Sequence, residues 1–200
     1  MKDYEKEQCI DIITEAFFDY EYFSIYVSDE KKRAKFIHDL VRTEVLSNLR
    51  TELFFVLKED EKIIGVAALY PPNFQNASDF AFLKNGFFSA MIHGGPIRTI
   101  RWMLMEREAK EPCLSLKDDT WLLNILVIRR EEERKGYGTK MIQDYLIPYV
   151  RRNGGKAMSL FTNSQENQVF YQKVGLEIFD YREFHFQKKT IGSWSFKIPV

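Results

Sequence analysis

The sequence predicts an α/β (α+β) domain in which a mixed central sheet is flanked by helices, and three observations lead there. The first fifty residues carry apolar side chains at helical spacing. Two apolar runs, Leu53 to Leu57 and Lys62 to Tyr70, flank a polar turn and read as a β-hairpin. A third apolar run, Trp121 to Ile128, is followed by a glycine loop and an amphipathic segment, which is the order strand, loop, helix.

The elements follow in order. From Tyr4 to Phe18, Cys9, Ile12, Ile13, Ala16 and Phe17 form one apolar face of a helix. Asp19 to Val27 is an aromatic-rich connection, and Ser28 or Asp29 can cap the next helix. Phe36, Ile37, Leu40, Val41, Val45 and Leu49 mark the buried face of that helix. The hairpin turns at Glu59-Asp60-Glu61, and Pro71-Pro72 ends it. Phe80 to Ile92 and Ile97 to Ala109 read as helices separated by Gly94-Gly95-Pro96, which is either a lid hinge or a plain helix break.

Thr120 to Ile128 is apolar on both faces and so belongs at the centre of the sheet. The helix after Gly136 is expected to bury Met141, Ile142, Tyr145 and Tyr149, to kink at Pro148 and to stop at Asn153-Gly154-Gly155. A strand at Ala157 to Phe161, a short helix at Glu166 to Val174, and strands around Glu177 to Phe186 and Ser193 to Ile198 complete the chain. There is no internal repeat, low-complexity stretch or interdomain linker, so residues 1–200 read as a single domain.

Composition narrows the class. A chain of 200 residues that is 45% hydrophobic can bury a sizeable core. The formal net charge is zero, and the basic clusters Lys31-Lys32-Arg33, Arg151-Arg152 and Lys188-Lys189 are short and scattered. Binding to nucleic acid or to an anionic membrane is therefore not expected. Cys9 and Cys113 stand outside any Cys-x-x-Cys or Cys-His spacing, so neither a disulfide framework nor a metal site is expected. The charged N-terminus does not read as a signal peptide, and the expectation is a cytoplasmic protein with both thiols reduced.

The stretch Glu133-Arg134-Lys135-Gly136-Tyr137-Gly138-Thr139 carries the chemistry. Two glycines where a helix begins bare the backbone amides, and the positive end of the helix dipole faces the same spot, a site for phosphate. The pattern is not a Walker loop, and Met141 stands where a dinucleotide fingerprint needs glycine or alanine. Read alone, the pattern also fits an ordinary tight turn.

A second stretch runs Asn163-Ser164-Gln165-Glu166-Asn167-Gln168-Val169-Phe170-Tyr171-Gln172-Lys173-Val174-Gly175-Leu176. Together the two stretches resemble the GNAT superfamily of acyl-CoA-dependent N-acetyltransferases. That family carries Gln/Arg-x-x-Gly-x-Gly/Ala after its fourth strand and often Asn, then Tyr-x-Lys-x-Gly-Phe, further on. The resemblance covers about the last third of the chain well. Ile64-Gly65-Val66-Ala67-Ala68-Leu69-Tyr70-Pro71-Pro72 and Gly192-Ser193-Trp194-Ser195-Phe196 are similar to strands of the branch containing puromycin N-acetyltransferase. Residues 73–118 match no part of the pattern. Glu133 departs from it, with Glu131 and Glu132 beside it; Leu176 replaces the usual Phe. Three carboxylates there repel a pyrophosphate unless they point into solvent and Arg134 and Lys135 offset them.

The resemblance implies an acetyl-CoA-dependent N-acetyltransferase acting on a primary amine of a small molecule. Two alternatives stay open: an idle GNAT fold that binds acyl-CoA, and a protein N-acetyltransferase. The strand ending Leu126-Val127-Ile128 is implied to splay from its neighbour and to pair its freed backbone with the pantetheine arm. Glu133, Arg134, Lys135, Gly136, Tyr137, Gly138 and Thr139 are implied to cradle the pyrophosphate. Asn167, Phe170 and Lys173 are implied to border the cofactor, with Asn167 as a contact or a local cap. Tyr171 is the implied general acid toward the leaving thiolate, its alternative being a packed, half-buried tyrosine. Asn124 could order a water.

For the general base, Asp118, Asp119, Asp19 and Glu21 are open, and none is required if the amine loses its proton through water. His38, His93 and His185 read as structural or surface residues. Phe17, Phe18, Tyr20, Tyr22 and Phe23 could wall an aromatic acceptor pocket or simply pack a helix end. A homodimer through the aromatic middle is left open.

Overall fold

The computed structural model describes residues 3–49, 52–75, 77–116, 119–186 and 188–200, except the side chains of Asp3 and Asp79. Six strands form one mixed sheet in the order β1-β2-β3-β4-β6-β5. They are β1 (Leu53–Glu59), β2 (Lys62–Tyr70), β3 (Thr120–Ile128), β4 (Ala157–Thr162), β5 (Glu177–Phe186) and β6 (Lys189–Pro199). Only β3 and β4 run parallel. The expected α/β fold is the observed one, with the doubly apolar β3 in the sheet interior.

On one face lie α1 (Asp3–Phe18), α2 (Glu21–Ser24) and α3 (Glu30–Asn48). Asp29 is the cap of α3, accepting a bond from the Lys32 N–H at 2.8 Å. Cys9, Ile13, Phe36, Ile37 and Val45 of these helices meet Val66, Ala68, Ile125 and Val127 of the sheet. The aromatic residues of the α1–α3 connection are packed into this core. Tyr22 and Phe23 are buried, and Phe23 stacks on Trp102 at 5.3 Å. Of the two readings left open for these aromatics, Tyr22 and Phe23 show the packing one, with Trp102 from the middle of the chain against both. Tyr20 crosses to β4, its hydroxyl 2.6 Å from Thr162 Oγ1, and the Tyr26 ring lies 4.5 Å from Phe186 of β5.

The unplaced middle is helical. It comprises α4 (Asp79–Phe82), a π-helical stretch (Leu83–Phe87), α5 (Phe88–Gly94) and α6 (Pro96–Leu114). Gly94-Gly95-Pro96 is a helix break held tight. Gly95 takes φ +82, Pro96 opens α6, and a Cβ on Gly94 would come within 2.5 Å of the Phe36 ring.

On the opposite face, α7 (Tyr137–Lys140), a π-helical stretch (Met141–Leu146) and α8 (Ile147–Arg152) follow one another directly. Met141, Ile142, Leu146 and Val150 face Leu123, Met158 and Phe196. Tyr145, expected to be buried, is 46% exposed. The reason is local: Pro148 has no N–H and its ring would collide with the carbonyl four residues earlier. The chain widens into a π-turn there, and the extra residue per turn moves burial from Tyr145 to Leu146. The last helix, α9 (Gln165–Val174), is capped by Ser164, whose hydroxyl accepts from the Asn167 N–H at 3.2 Å. No helix among the described residues is long and apolar enough to cross a membrane.

Candidate active site

The sheet opens between its two parallel strands. β3 and β4 pair at Thr120–Ala157, Trp121–Met158 and Leu122–Ser159 and nowhere beyond. From Leu123 to Ile128 the edge of β3 that faces β4 therefore has no strand partner, while the other edge stays paired with β2. A β-bulge at Asn124 marks where the opening begins: Ala68 faces Ile125, Leu69 faces Leu123, and Asn124 is the extra residue. The stretch that ends Leu126-Val127-Ile128 thus leaves the backbone groups on its β4-facing edge without a strand partner along the cleft.

The cleft leads to the glycine loop. Arg134 and Gly136 both take left-handed conformations, φ +61 and +84. The first helical bond is from the Lys140 N–H to the Gly136 carbonyl at 3.0 Å, which leaves the amides of Tyr137, Gly138 and Thr139 outside the helical ladder. A Cβ on Gly136 would meet nothing within 4 Å, so its glycine answers to backbone conformation alone. Gly138 answers to space, because a Cβ there would come 3.1 Å from Phe170 Cζ. Phe170 thereby packs α9 against the loop.

The three acidic residues are not aimed together at one point. Glu131 Oε1 lies 2.9 Å from Lys62 Nζ, and Glu132 Oε2 lies 2.7 Å from Lys135 Nζ. Glu133 is exposed, and Arg134 pairs loosely with Glu166 at 3.5 Å. The Tyr137 hydroxyl donates to Glu59 on β1 at 3.1 Å, so this residue contributes to the loop through its amide. Lys173 is exposed on the last turn of α9 without a partner among the described residues.

Tyr171 stands on the buried side of α9, its ring 5.7 Å from Phe196 and 5.1 Å from Phe170. Its hydroxyl makes no hydrogen bond among the described residues, and the residue is 8% exposed. Burial, and then the neighbouring Tyr20 phenol, push its pKa above the ordinary tyrosine range. Tyr171 therefore keeps its proton at any working pH and presents an O–H donor. Tyr20 closes this end of the cleft. Its hydroxyl oxygen accepts from the Asn163 N–H at 3.0 Å, with the Asn167 side chain nearby. The cap of α9 is Ser164, which accepts from the Asn167 N–H.

Asn124 donates to the Tyr70 hydroxyl at 2.9 Å and to Glu52 Oε1 at 3.2 Å. Asp119 pairs with Lys156 at 3.2 Å at the closed end of β3, Asp19 pairs with Arg130 at 3.4 Å, and Glu21 is exposed. Asp118 lies outside the described residues. His38 and His93 both face Asp39, and His185 meets Thr190, all outside the cleft. Both cysteines are buried, and burial pushes the Cys113 thiol up to about 12. Among the described residues no group of His, Cys, Asp or Glu could hold a metal ion.

Sequence reasoning missed Glu44, Glu52 and Tyr70. One signal was present: Leu40, Glu44 and Asn48 recur at four-residue spacing, which puts two polar side chains on the apolar stripe of α3.

Solved structures share this architecture. A mosquito arylalkylamine N-acetyltransferase-like protein is 17% identical, with a TM-score of 0.59 over 100% of this chain and 97% of its own. A Drosophila melanogaster polyamine N-acetyltransferase is 12% identical, with a TM-score of 0.59 over 100% and 97%. The Escherichia coli ribosomal-protein-S18-alanine N-acetyltransferase is 11% identical, with a TM-score of 0.53 over 100% and 90%. Identities this low speak for the fold alone. No curated protein matches the sequence. The acetyltransferase (GNAT) family matches residues 10–176, which takes in both stretches of the motif and the open sheet between them; this chain belongs to that family.

Proposed function

We propose that the protein is an N-acetyltransferase that moves the acetyl group of acetyl-CoA to a primary amine of a small molecule. Acetyl-CoA is the acyl donor of the family, and the residues present suit it. The observation that carries the reading is the opened parallel pair: β3 is bonded to β4 at three positions and then free as far as the glycine loop. A polar, chain-like arm with amides needs such a free edge, and a diphosphate needs the unpaired amides of residues 137–139.

In this reading Leu126, Val127 and Ile128 hold the pantetheine arm through their backbone. Gly136 to Thr139 hold the pyrophosphate, with Arg134, Lys135 and Lys173 at its rim. Glu133 points to solvent and weakens that site little. The bound donor supplies a thioester whose carbonyl an amine attacks directly. Tyr171 donates a hydrogen bond to the sulfur as charge develops there. Its raised pKa makes it a donor that keeps its proton, so the thiol's proton comes from the attacking nitrogen. Asn167 and Phe170 shape the wall beside Tyr171.

A small acceptor fits the similarity of β2 and β6 to the puromycin N-acetyltransferase branch; a protein acceptor is the competing reading. The protein acts in the cytoplasm, and a second copy could cover the apolar middle. Titration calorimetry with acetyl-CoA, beside CoA and ATP, tests the first step, and CoA release with an amine panel tests the second. Micromolar binding followed by amine-dependent release is expected. Binding without release from any amine or peptide would leave an acyl-CoA-binding protein instead.

A further inference from the structure

One cluster stands on the opposite face of β3 from Tyr171 and is built against the ordinary rules of a core. Glu52, 4% exposed, directly precedes β1, Glu44 comes from α3, and Glu106 and Lys110 come from α6. Asn124 bridges Glu52 Oε1 and the Tyr70 hydroxyl, and that hydroxyl donates to Glu44. Lys110 pairs with Glu106 and lies 5.3 Å from the centre of the Tyr70 ring. Three carboxylates therefore share one cation. Glu52 Oε2 is buried and has no hydrogen-bond partner among the described residues.

A buried carboxylate oxygen without a donor carries a desolvation cost. A ligand that brings both a donor and a positive charge removes the defect. Glu44, Asn124 and Glu106 are only partly buried, so the cluster borders solvent although Glu52 itself is buried. The position is also apt. Asn124 is the bulge residue of β3, two residues past the last β3–β4 pair, so the cluster begins where the cleft begins.

We propose that Glu52 and Glu44 receive the ammonium group of the acceptor, and that Glu52 Oε2 is the atom that takes its proton. The assignment rests on the acyl-transfer reading above and gives its substrate class: primary amines that carry a positive charge in solution. The protonated amine gives one proton to Glu52 and keeps its lone pair. That pair forms the C–N bond at the thioester carbonyl as the C–S bond breaks and its electrons pass to sulfur. The nitrogen's second proton goes to the sulfur, and Glu52 later releases its proton to solvent. The products are an amide, a free thiol and one proton.

The electrostatics agree. Burial, and then the Glu44 charge, raise Glu52 well above the ordinary carboxylate range, against the pull of Asn124 and Lys110. The charged and titratable groups around it are Glu44 on α3, Tyr70 on β2, and Glu106 and Lys110 on α6. A carboxyl raised in this way holds a proton more strongly than an ordinary carboxylate does, which is the direction a proton acceptor needs.

The test is calorimetric titration of the full chain with butylamine and phenylethylamine, with and without CoA. Phenylethanol and glycine, which lack a net positive charge, are the controls. Amine binding is expected to weaken about tenfold in both Glu52→Gln and Glu44→Gln, with neither control binding the wild type. In turnover, Glu52→Gln is expected to lower kcat about 100-fold and to remove the acidic limb of the pH profile. Glu44→Gln is expected to move that limb to lower pH. No binding of either amine, equal binding by Glu52→Gln, or binding of phenylethanol would overturn the assignment. So would an unchanged pH profile in Glu52→Gln, the mark of a structural carboxyl. Acetyl-CoA titrated into the same samples reports separately on the acyl-transfer reading.

Discussion

The two sides of β3 solve their problems with different parts of the chain. On the proposed cofactor side the groups on offer are backbone: the free edge that runs to Ile128 and the amides of residues 137–139. On the other side they are side chains from α3, the turn before β1, β2, β3 and α6, with Glu44, Glu52, Tyr70, Asn124 and Lys110 meeting across the core. A backbone site tolerates changes of side chain, which is why Glu133 can stand in the loop. A side-chain site tolerates almost none, and each member is coupled to the next.

The largest effect should come from attacking the backbone itself. Gly136→Glu places a side chain at φ +84, which strains a non-glycine residue by about 1–2 kcal/mol, and adds a negative charge at the anion site. Acetyl-CoA binding is expected to fall by about 100-fold or more in calorimetry; unchanged affinity would remove the loop from the account. Tyr171→Phe should separate binding from chemistry. Turnover is expected to fall by about 30-fold while acetyl-CoA affinity stays within about twofold. Equal loss of both would mark a packing residue.

A stability measurement sharpens the side-chain half. The Glu52 pKa is raised in the folded protein from its ordinary value of 4.5, so the folded state holds that proton more tightly than the unfolded chain does. The resulting stability is complete below that ordinary value and is lost as pH rises through the folded value. Glu52→Gln, which cannot ionise, should therefore raise Tm by about 2–4 °C near pH 8 and change it little near pH 4. A fall in Tm at the higher pH would mean that the carboxylate is structurally satisfied. The smallest effect belongs to Glu133→Gln. An exposed, unpaired carboxylate at the rim should change acetyl-CoA affinity by about threefold at most, and less at high salt. A larger gain would show that the acidic run opposes the cofactor.

Legibility in the sequence follows the same division. Glycines, caps and apolar periodicity are local signals, and the strands, the hairpin and the helices they marked are present, including the broken helical middle. The π-turn before Pro148 escaped, because periodicity assumes a constant turn; Tyr145 and Leu146 exchanged places for that reason. Phe23 and Tyr22 read equally as pocket walls or as helix-end packing, and only the fold brings Trp102, some eighty residues away, against both rings. Glu52 was invisible for the same kind of reason. It stands alone between a helix end and an apolar strand, and only the fold brings Asn124, 72 residues later, to its carboxylate.

The most direct test of the central claim is amide hydrogen exchange with and without acetyl-CoA. The account predicts slowed exchange in two segments, residues 123–128 along the free edge and residues 134–140 in the loop, with little change in β1 and α3. Protection absent from both segments, or appearing mainly elsewhere, would contradict it.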